Sequence, residues 1–133
     1  MKYMLDTNIC IYVINEQPQK VLDKFTVVPC VEVCISSITH AELQYGIEGS
    51  VRKQQNQAAL DEFLLPLTIL PFHGMPTMKH YGEIRCYLES RGESIGPFDT
   101  QIAAHARSLS LTLVSNNLKE FSRVPGLRCE NWA

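Results

Sequence analysis

Nothing in these 133 residues resembles a membrane span. The longest strongly apolar stretch without a charge falls far short of the ~20 residues that a bilayer requires. No secretion leader is expected either, because Asp6 follows Met1–Leu5 at once and no hydrophobic region of ~7–15 residues comes after it. A cytoplasmic protein without a membrane partner is the expectation. The five cysteines, Cys10, Cys30, Cys34, Cys86 and Cys129, are odd in number and form no CxxC pair. Cys30 and Cys34 lie four apart without a histidine or second cysteine pair to complete a zinc site. Reduced, unreactive thiols are therefore expected. His40, His73, His80 and His105 show no ligand spacing. Neither GxxxxGK[ST] nor GxGxxG is present to cradle a phosphate, and no Gly-x-Ser-x-Gly elbow presents a nucleophilic serine. Basic residues are not in excess either: 12 Lys and Arg against 14 Asp and Glu leave a net charge of −2. That balance argues against a general coat for nucleic acid, but an acidic nuclease pocket would cancel basic residues elsewhere.

What remains is an ordinary globular composition, 45% apolar, in a length that fits one domain spanning residues 1–133. A chain of this size buries roughly 65–70% of its unfolded surface. Strand and helix patterns alternate, which predicts an α/β fold with a central, mostly parallel sheet flanked by helices. The strands are expected at Lys2–Leu5, Val31–Ser36, Leu67–Phe72, Leu111–Val114 and, at an edge, Leu127–Cys129. Thr7 or Asn8 is expected to cap a helix from about Ile9, and Pro18 to open a second one carrying Val21, Leu22 and Phe25. Ser36 or Ser37 caps the helix through Glu42 and Tyr45, and Val51–Leu65 follows as another. Met75–Ser90 is helical between Pro76 and Gly92. Gly96-Pro97-Phe98-Asp99 opens the next helix, whose Ile102, Ala103, Ala106 and Leu109 share one face. Ser115-Asn116-Asn117 is a turn before a short helix through Phe121, and Trp132 packs near the end. Apolar residues on the late helices, including Ile84, Leu88, Ile102 and Leu109, exceed what one sheet face needs, and part of this surface is expected to form a two-fold dimer interface.

Ligands of an open parallel sheet bind outside the carboxyl ends of its strands. Asp6 terminates the first strand, Glu42 lies in the helix after the second, and Asn117 follows the fourth; Asp99 opens the helix leading into that strand. Carboxylates gathered within a few ångströms repel and raise each other's pKa. A hard divalent cation, Mg²⁺ or Mn²⁺, reverses that sign, activates water and offsets charge on a phosphodiester. Each acid also has a plain structural role open to it. Asp6 would cap the first helix, Glu42 would be an exposed surface acid, and Asp99 would favour the helix dipole as a first-turn acid. From spacing alone the residues define a possible acidic metal site.

Met4-Leu5-Asp6-Thr7-Asn8, Ser36-Ser37-Ile38-Thr39-His40-Ala41-Glu42-Leu43-Gln44-Tyr45-Gly46, Ile95-Gly96-Pro97-Phe98-Asp99-Thr100-Gln101-Ile102-Ala103 and Val114-Ser115-Asn116-Asn117-Leu118-Lys119-Glu120-Phe121 stand out as ordered motifs. In sequence and order they resemble the VapC toxins, PIN-domain ribonucleases of bacterial toxin–antitoxin pairs. The ending Val124-Pro125-Gly126-Leu127, then Glu130-Asn131-Trp132, is also similar, so the resemblance covers essentially the whole chain. It implies a PIN fold and a Mg²⁺-dependent endoribonuclease in which Mn²⁺ substitutes. Asp6, Asp99 and Glu42 would be the metal ligands and, with Glu120, the catalytic acids. Ser115, Asn116, Asn117, Thr7 and Asn8 would position water or substrate. Where many PIN domains carry a fourth acid this chain has Asn117, a neutral oxygen ligand that cannot act as a base. Glu120, three residues on, would supply the missing charge.

The resemblance further implies a VapB-type antitoxin, a homodimer, contact with operator DNA only through the joint complex, and an RNA substrate. Its Gly-Pro-Phe-Asp and Asn-Asn versions point to initiator tRNA cut in the anticodon stem-loop, which would inhibit translation. Two rivals differ in class. A haloacid-dehalogenase-like phosphatase also begins strand–Asp, but needs a second Asp where this chain has Asn8. A degenerate, non-enzymatic PIN module would not need to retain Asp6, Glu42 and Asp99.

Overall fold

The computed structural model describes residues 1–133. β1 (Tyr3–Leu5) leads into α1 (Thr7–Ile14) and α2 (Gln19–Val27), and a single 3-10 turn, Cys30–Glu32, precedes β2 (Val33–Ser36). Then come α3 (Ser37–Glu48), α4 (Lys53–Leu64), β3 (Thr68–Leu70), α5 (Met75–Ser90) and α6 (Pro97–Ser108). β4 (Thr112–Val114), α7 (Leu118–Phe121) and β5 (Arg128–Glu130) complete the chain. The five strands form one sheet in the order β3-β2-β1-β4-β5, and every pairing is parallel. No helix is long and apolar enough to cross a membrane.

A parallel sheet with helices on both faces must bury both sides of each strand, and the side-chain alternation of period two divides the strand residues between two cores. Met4, Cys34 and Leu113 pack with Ile84, Leu88, Ile102 and Ala103 of α5 and α6. Leu5, Val33, Ile35 and Val114 turn the other way, onto Ile9, Val21, Leu43, Leu60 and Trp132. Each fully buried aliphatic side chain is worth roughly 1.5–3 kcal/mol of transfer free energy. The strands are short, three or four residues each. The two helical layers therefore supply most of the burial.

Three expectations need correction. Ile84, Leu88 and Ile102 are 0–1% exposed, so they fill the first core and offer no dimer surface; only Leu109 of that set, at 46%, reaches solvent. The surplus apolar residues are consumed because α5 and α6 pack against each other as well as against the sheet. The second strand begins at Val33 rather than Val31, since Pro29 starts the 3-10 turn that carries Cys30–Glu32. Helix α1 begins at Thr7, earlier than Ile9, for a reason that belongs to the site.

α5 has the predicted bounds, Met75–Ser90. Gly74 at φ 90° and Gly92 at φ 64° flank it in left-handed conformations that a side chain would disfavour. Leaving β1 the chain moves to β2 on one side, and it returns through α6 to β4 on the other side of β1. That reversal opens a crevice beyond the carboxyl ends of β1 and β4.

Candidate acidic active site

Asp6 stands at that switch point, 4% exposed. It is the N-cap of α1, with extended backbone and its Oδ1 accepting from the Ile9 N–H at 2.9 Å. Of the caps expected from the sequence, Asp6 is the one used, and not Thr7 or Asn8, since its carboxylate satisfies a first-turn donor directly. Oδ2 accepts from the Ser115 hydroxyl at 2.5 Å. Ser115 follows β4, is itself fully buried, and its Oγ accepts from the Asn117 N–H at 2.9 Å. The ends of β1 and β4 are thus joined by side chains beyond the last strand pairing. Burial raises the Asp6 carboxyl above the ordinary 3.8, against the lowering effect of the Ser115 and Ile9 bonds, and the charge of Glu42 raises it further.

Glu42 approaches from α3, which Ser36 caps by accepting from the Ile38 N–H at 3.1 Å. It is half-buried, and its Oε1 accepts from the Thr7 hydroxyl at 2.9 Å. The plain surface-acid role does not describe it. Asp99 sits in the first turn of α6, after Pro97 at the helix start. No hydrogen bond holds its carboxylate. Burial and then the charges of Asp6, Glu120 and Glu42, in that order, push it up from 3.8 to about 6. Acids from four separate elements, the start of α1, α3, α6 and α7, therefore act on one another across a single rim.

The positioning residues divide. Thr7 and Ser115 bond to acids, whereas the exposed Asn116 donates through Nδ2 to the Tyr12 hydroxyl. Asn8 is exposed and contributes its main-chain N–H toward Asp6. Asn117 caps α7 without a side-chain bond, at φ −103°, so no left-handed turn explains it. Glu120 is half-buried in α7. Tyr12 is the neighbour that sequence reading missed; it lies four residues after Asn8 on α1, a spacing that places both on one helix face.

No three acid, histidine or cysteine side chains are already gathered closely enough to enclose an ion. The acids act on one another by charge, while Thr7, Ser115 and Ile9 hold Glu42 and Asp6 by hydrogen bonds. The donor chemistry nonetheless fits a hard divalent cation: the groups are oxygen donors, and burial together with neighbouring acids raises the Asp6 and Asp99 carboxyls with no cationic side chain among the causes. Asp6, Asp99 and Glu42 are the residues that would hold it.

Fold and rim together define a class, all-parallel α/β domains with an acidic rim at the switch point of the sheet. The PIN domain family matches residues 3–127. The chain is 50% identical over 132 residues to Ribonuclease VapC2 of Haemophilus influenzae, covering 99% of this chain and 98% of that protein. It is 42% identical over 132 residues to the tRNA(fMet)-specific endonuclease VapC of Salmonella typhimurium, with the same coverage. Among solved structures it is similar to VapBC2 from Rickettsia felis bound to a promoter DNA fragment, at TM-score 0.92, 46% identity and full coverage of both chains. The chain belongs to the PIN-domain family, among its VapC-type ribonucleases.

Proposed function

We propose that this chain is the toxin of a VapBC-type pair, a divalent-metal-dependent endoribonuclease, one PIN domain over residues 1–133, that cuts initiator tRNA in the cytoplasm and so inhibits translation. The reading is carried by acids from four separate elements, Asp6, Glu42, Asp99 and Glu120, acting on one another at one rim, with Ser115 bonded to Asp6 and Thr7 to Glu42. Folding accepts that repulsion at a point where a cation would remove it. Mg²⁺, with Mn²⁺ as substitute, is the ion such a rim favours.

Asp6 and Asp99 serve as principal ligands, with Glu42 as the third acid and Glu120 adding negative charge behind Asp99. When bound, the ion supplies activation of water and offsets charge on the phosphodiester. The chain's own residues do the remainder. Ser115 fixes one Asp6 oxygen and Ile9 the other, so Asp6 enters the reaction with a set orientation. Thr7 aims Glu42 by one hydrogen bond, which leaves the second Glu42 oxygen to orient water. Asn116, Asn117 and Asn8 offer neutral donors and acceptors at the mouth, where a phosphate would meet no further repulsion.

The relatives named tRNA(fMet)-specific support the substrate, at 42% and 43% identity. The VapBC complexes from Rickettsia felis and Salmonella typhimurium, both with DNA, support a VapB-type antitoxin as partner and operator DNA as a contact of the joint complex. Homodimerisation belongs to the same reading, on surfaces other than the buried face of α5 and α6. The test is direct. Purified protein incubated with initiator and elongator tRNAs in Mg²⁺ should nick the initiator species within its anticodon stem-loop, and EDTA should stop it. Equal cutting of all tRNAs would remove the substrate assignment, and full activity in chelator would remove the metal.

A further inference from the structure

Two aromatic side chains beside the acid rim are left in solvent. Tyr45, on α3, is 82% exposed, and Phe98, in the first turn of α6, is 53% exposed. Several other aromatic rings are used for packing: Phe121 and Trp132 are buried, and Tyr3 and Phe25 meet the Trp132 ring edge-on at 5.1 and 5.7 Å. Tyr45 and Phe98 instead flank one cleft of about 580 Å³ with Ile38 and Ala41 between them. Its polar lining is Thr7 and Glu42, the hydrogen-bonded pair of the acidic site. The cleft is therefore continuous with that site through Glu42, and Phe98 directly precedes Asp99 in the chain.

We propose that this cleft is a base-binding subsite, in which an unpaired nucleobase of the RNA next to the scissile phosphate lies against Phe98 and Tyr45. The inference rests on the RNA-cleaving reading and adds the part of the substrate that the acids do not handle. The cleft is lined by no Lys or Arg, so it gains little from the phosphate backbone, the usual source of nucleic-acid affinity. Stacking is the alternative source, and it needs no positive charge. Every base has an apolar face, and sequence recognition in RNA works on unpaired, splayed bases set on aromatic rings. The only charged group lining the cleft is Glu42, which would repel a phosphate. The subsite thus selects unpaired over paired RNA: a base inside a duplex cannot leave its neighbours to enter it.

The test separates the two halves of the site. The probe is a single-stranded 2′-O-methyl oligoribonucleotide carrying 2-aminopurine, which resists cleavage and loses fluorescence when stacked. It is titrated in EDTA with the parent, Phe98→Leu, Tyr45→Leu, Phe98→Tyr, Tyr45→Phe and, as control, Tyr87→Leu on α5, whose ring is 39% exposed away from the cleft. Each cleft leucine variant should weaken binding by roughly 5- to 150-fold and abolish its share of the quenching. Both aromatic-for-aromatic variants and Tyr87→Leu should stay within about twofold of the parent, and a fully paired duplex probe should bind all six proteins equally weakly. Since these rings are exposed, melting temperatures should not change. Leucine variants that quench and bind like the parent would overturn the subsite while cleavage by the parent left the nuclease intact. Leucine variants that kept RNA affinity and lost only self-association or antitoxin binding would overturn it too, assigning the cleft to a protein. Failure of the parent to cut any RNA in Mg²⁺ would instead overturn the reading beneath it.

Discussion

Asp6 and Asp99 are the same residue type on opposite walls of one rim, and they are built in opposite ways. Asp6 is 4% exposed and both its oxygens are committed, one to the start of α1 and one to Ser115 beyond β4. Asp99 is half-buried, accepts nothing, and is surrounded by other acids. The first carboxylate helps fold the protein while it waits for chemistry; the second works against the fold until something positive arrives. A pair arranged this way gives a site one fixed wall and one responsive wall.

The largest expected effect treats the two walls alike. Asp6→Asn and Asp99→Asn should each lower RNA cleavage by about three orders of magnitude, the scale of several kcal/mol of charge stabilisation at the phosphodiester. Gel assays on tRNA in Mg²⁺ would measure it. A variant of either residue that retained a tenth of parental activity would remove that wall from the mechanism.

Stability should then split them. Asp6→Ala removes the cap of α1 and leaves the buried Ser115 hydroxyl without its acceptor, a loss of about 1–2 kcal/mol in denaturant titration. Asp99→Ala breaks no hydrogen bond and relieves repulsion, so in chelator at neutral pH it should leave stability unchanged or raised. Equal destabilisation by both would mean that Asp99 is structural after all.

Proton linkage sharpens the same contrast. Asp99 has its carboxyl near 3.8 when unfolded and about 6 when folded. Between those values the folded chain holds the extra proton, so its contribution falls as pH rises from about 4 to 6 and stays low above. His105 runs the other way. Burial, then the nearby His73, lowers it from 6.5 to about 4, where its Nδ1 meets Ser36 Oγ at 2.8 Å. The unfolded chain is protonated first, and stability is lost as pH falls from about 6.5 to 4. Melting of the parent alone would blend these slopes, but the difference between parent and Asp99→Asn in chelator isolates the first. A flat difference from pH 4 to 7 would contradict the clustered site.

Much of the fold is legible in the sequence. The alternation of strand and helix signals predicts the sheet, Pro76 and Gly92 bracket α5, and Asp6 at the end of β1, Glu42 in the helix after β2 and Asp99 in the helix before β4 mark out a candidate acidic rim. What stayed hidden depends on partners distant in the chain. Asp6 and Ser115 are 109 residues apart and Thr7 and Glu42 35 apart, so no local pattern announces either bond. Ile84, Leu88 and Ile102 looked surplus because the mutual packing of α5 and α6 has no local signature. The exposure of Tyr45 and Phe98 was equally unreadable, since an aromatic at helical spacing usually enters a core.

The smallest expected effect concerns the neighbour of the responsive wall. Glu120 acts on Asp99 by charge alone, so Glu120→Gln should reduce cleavage only a fewfold and weaken Mn²⁺ binding in calorimetry. Asn117→Asp, one residue before α7, should tighten that binding. Unchanged isotherms in both would leave Glu120 a surface acid and Asn117 a plain cap.

The central claim, that the acids form a rim completed by a divalent cation, is tested most directly by melting the parent and Asp99→Asn at pH 7.5, first in EDTA and then in excess Mn²⁺. In EDTA the variant should melt at or above the parent. With the ion at about a hundred times its Kd the parent should gain about 2.7 kcal/mol and overtake it, while the variant gains far less. Parallel shifts of both proteins, or none in the parent, would contradict the account.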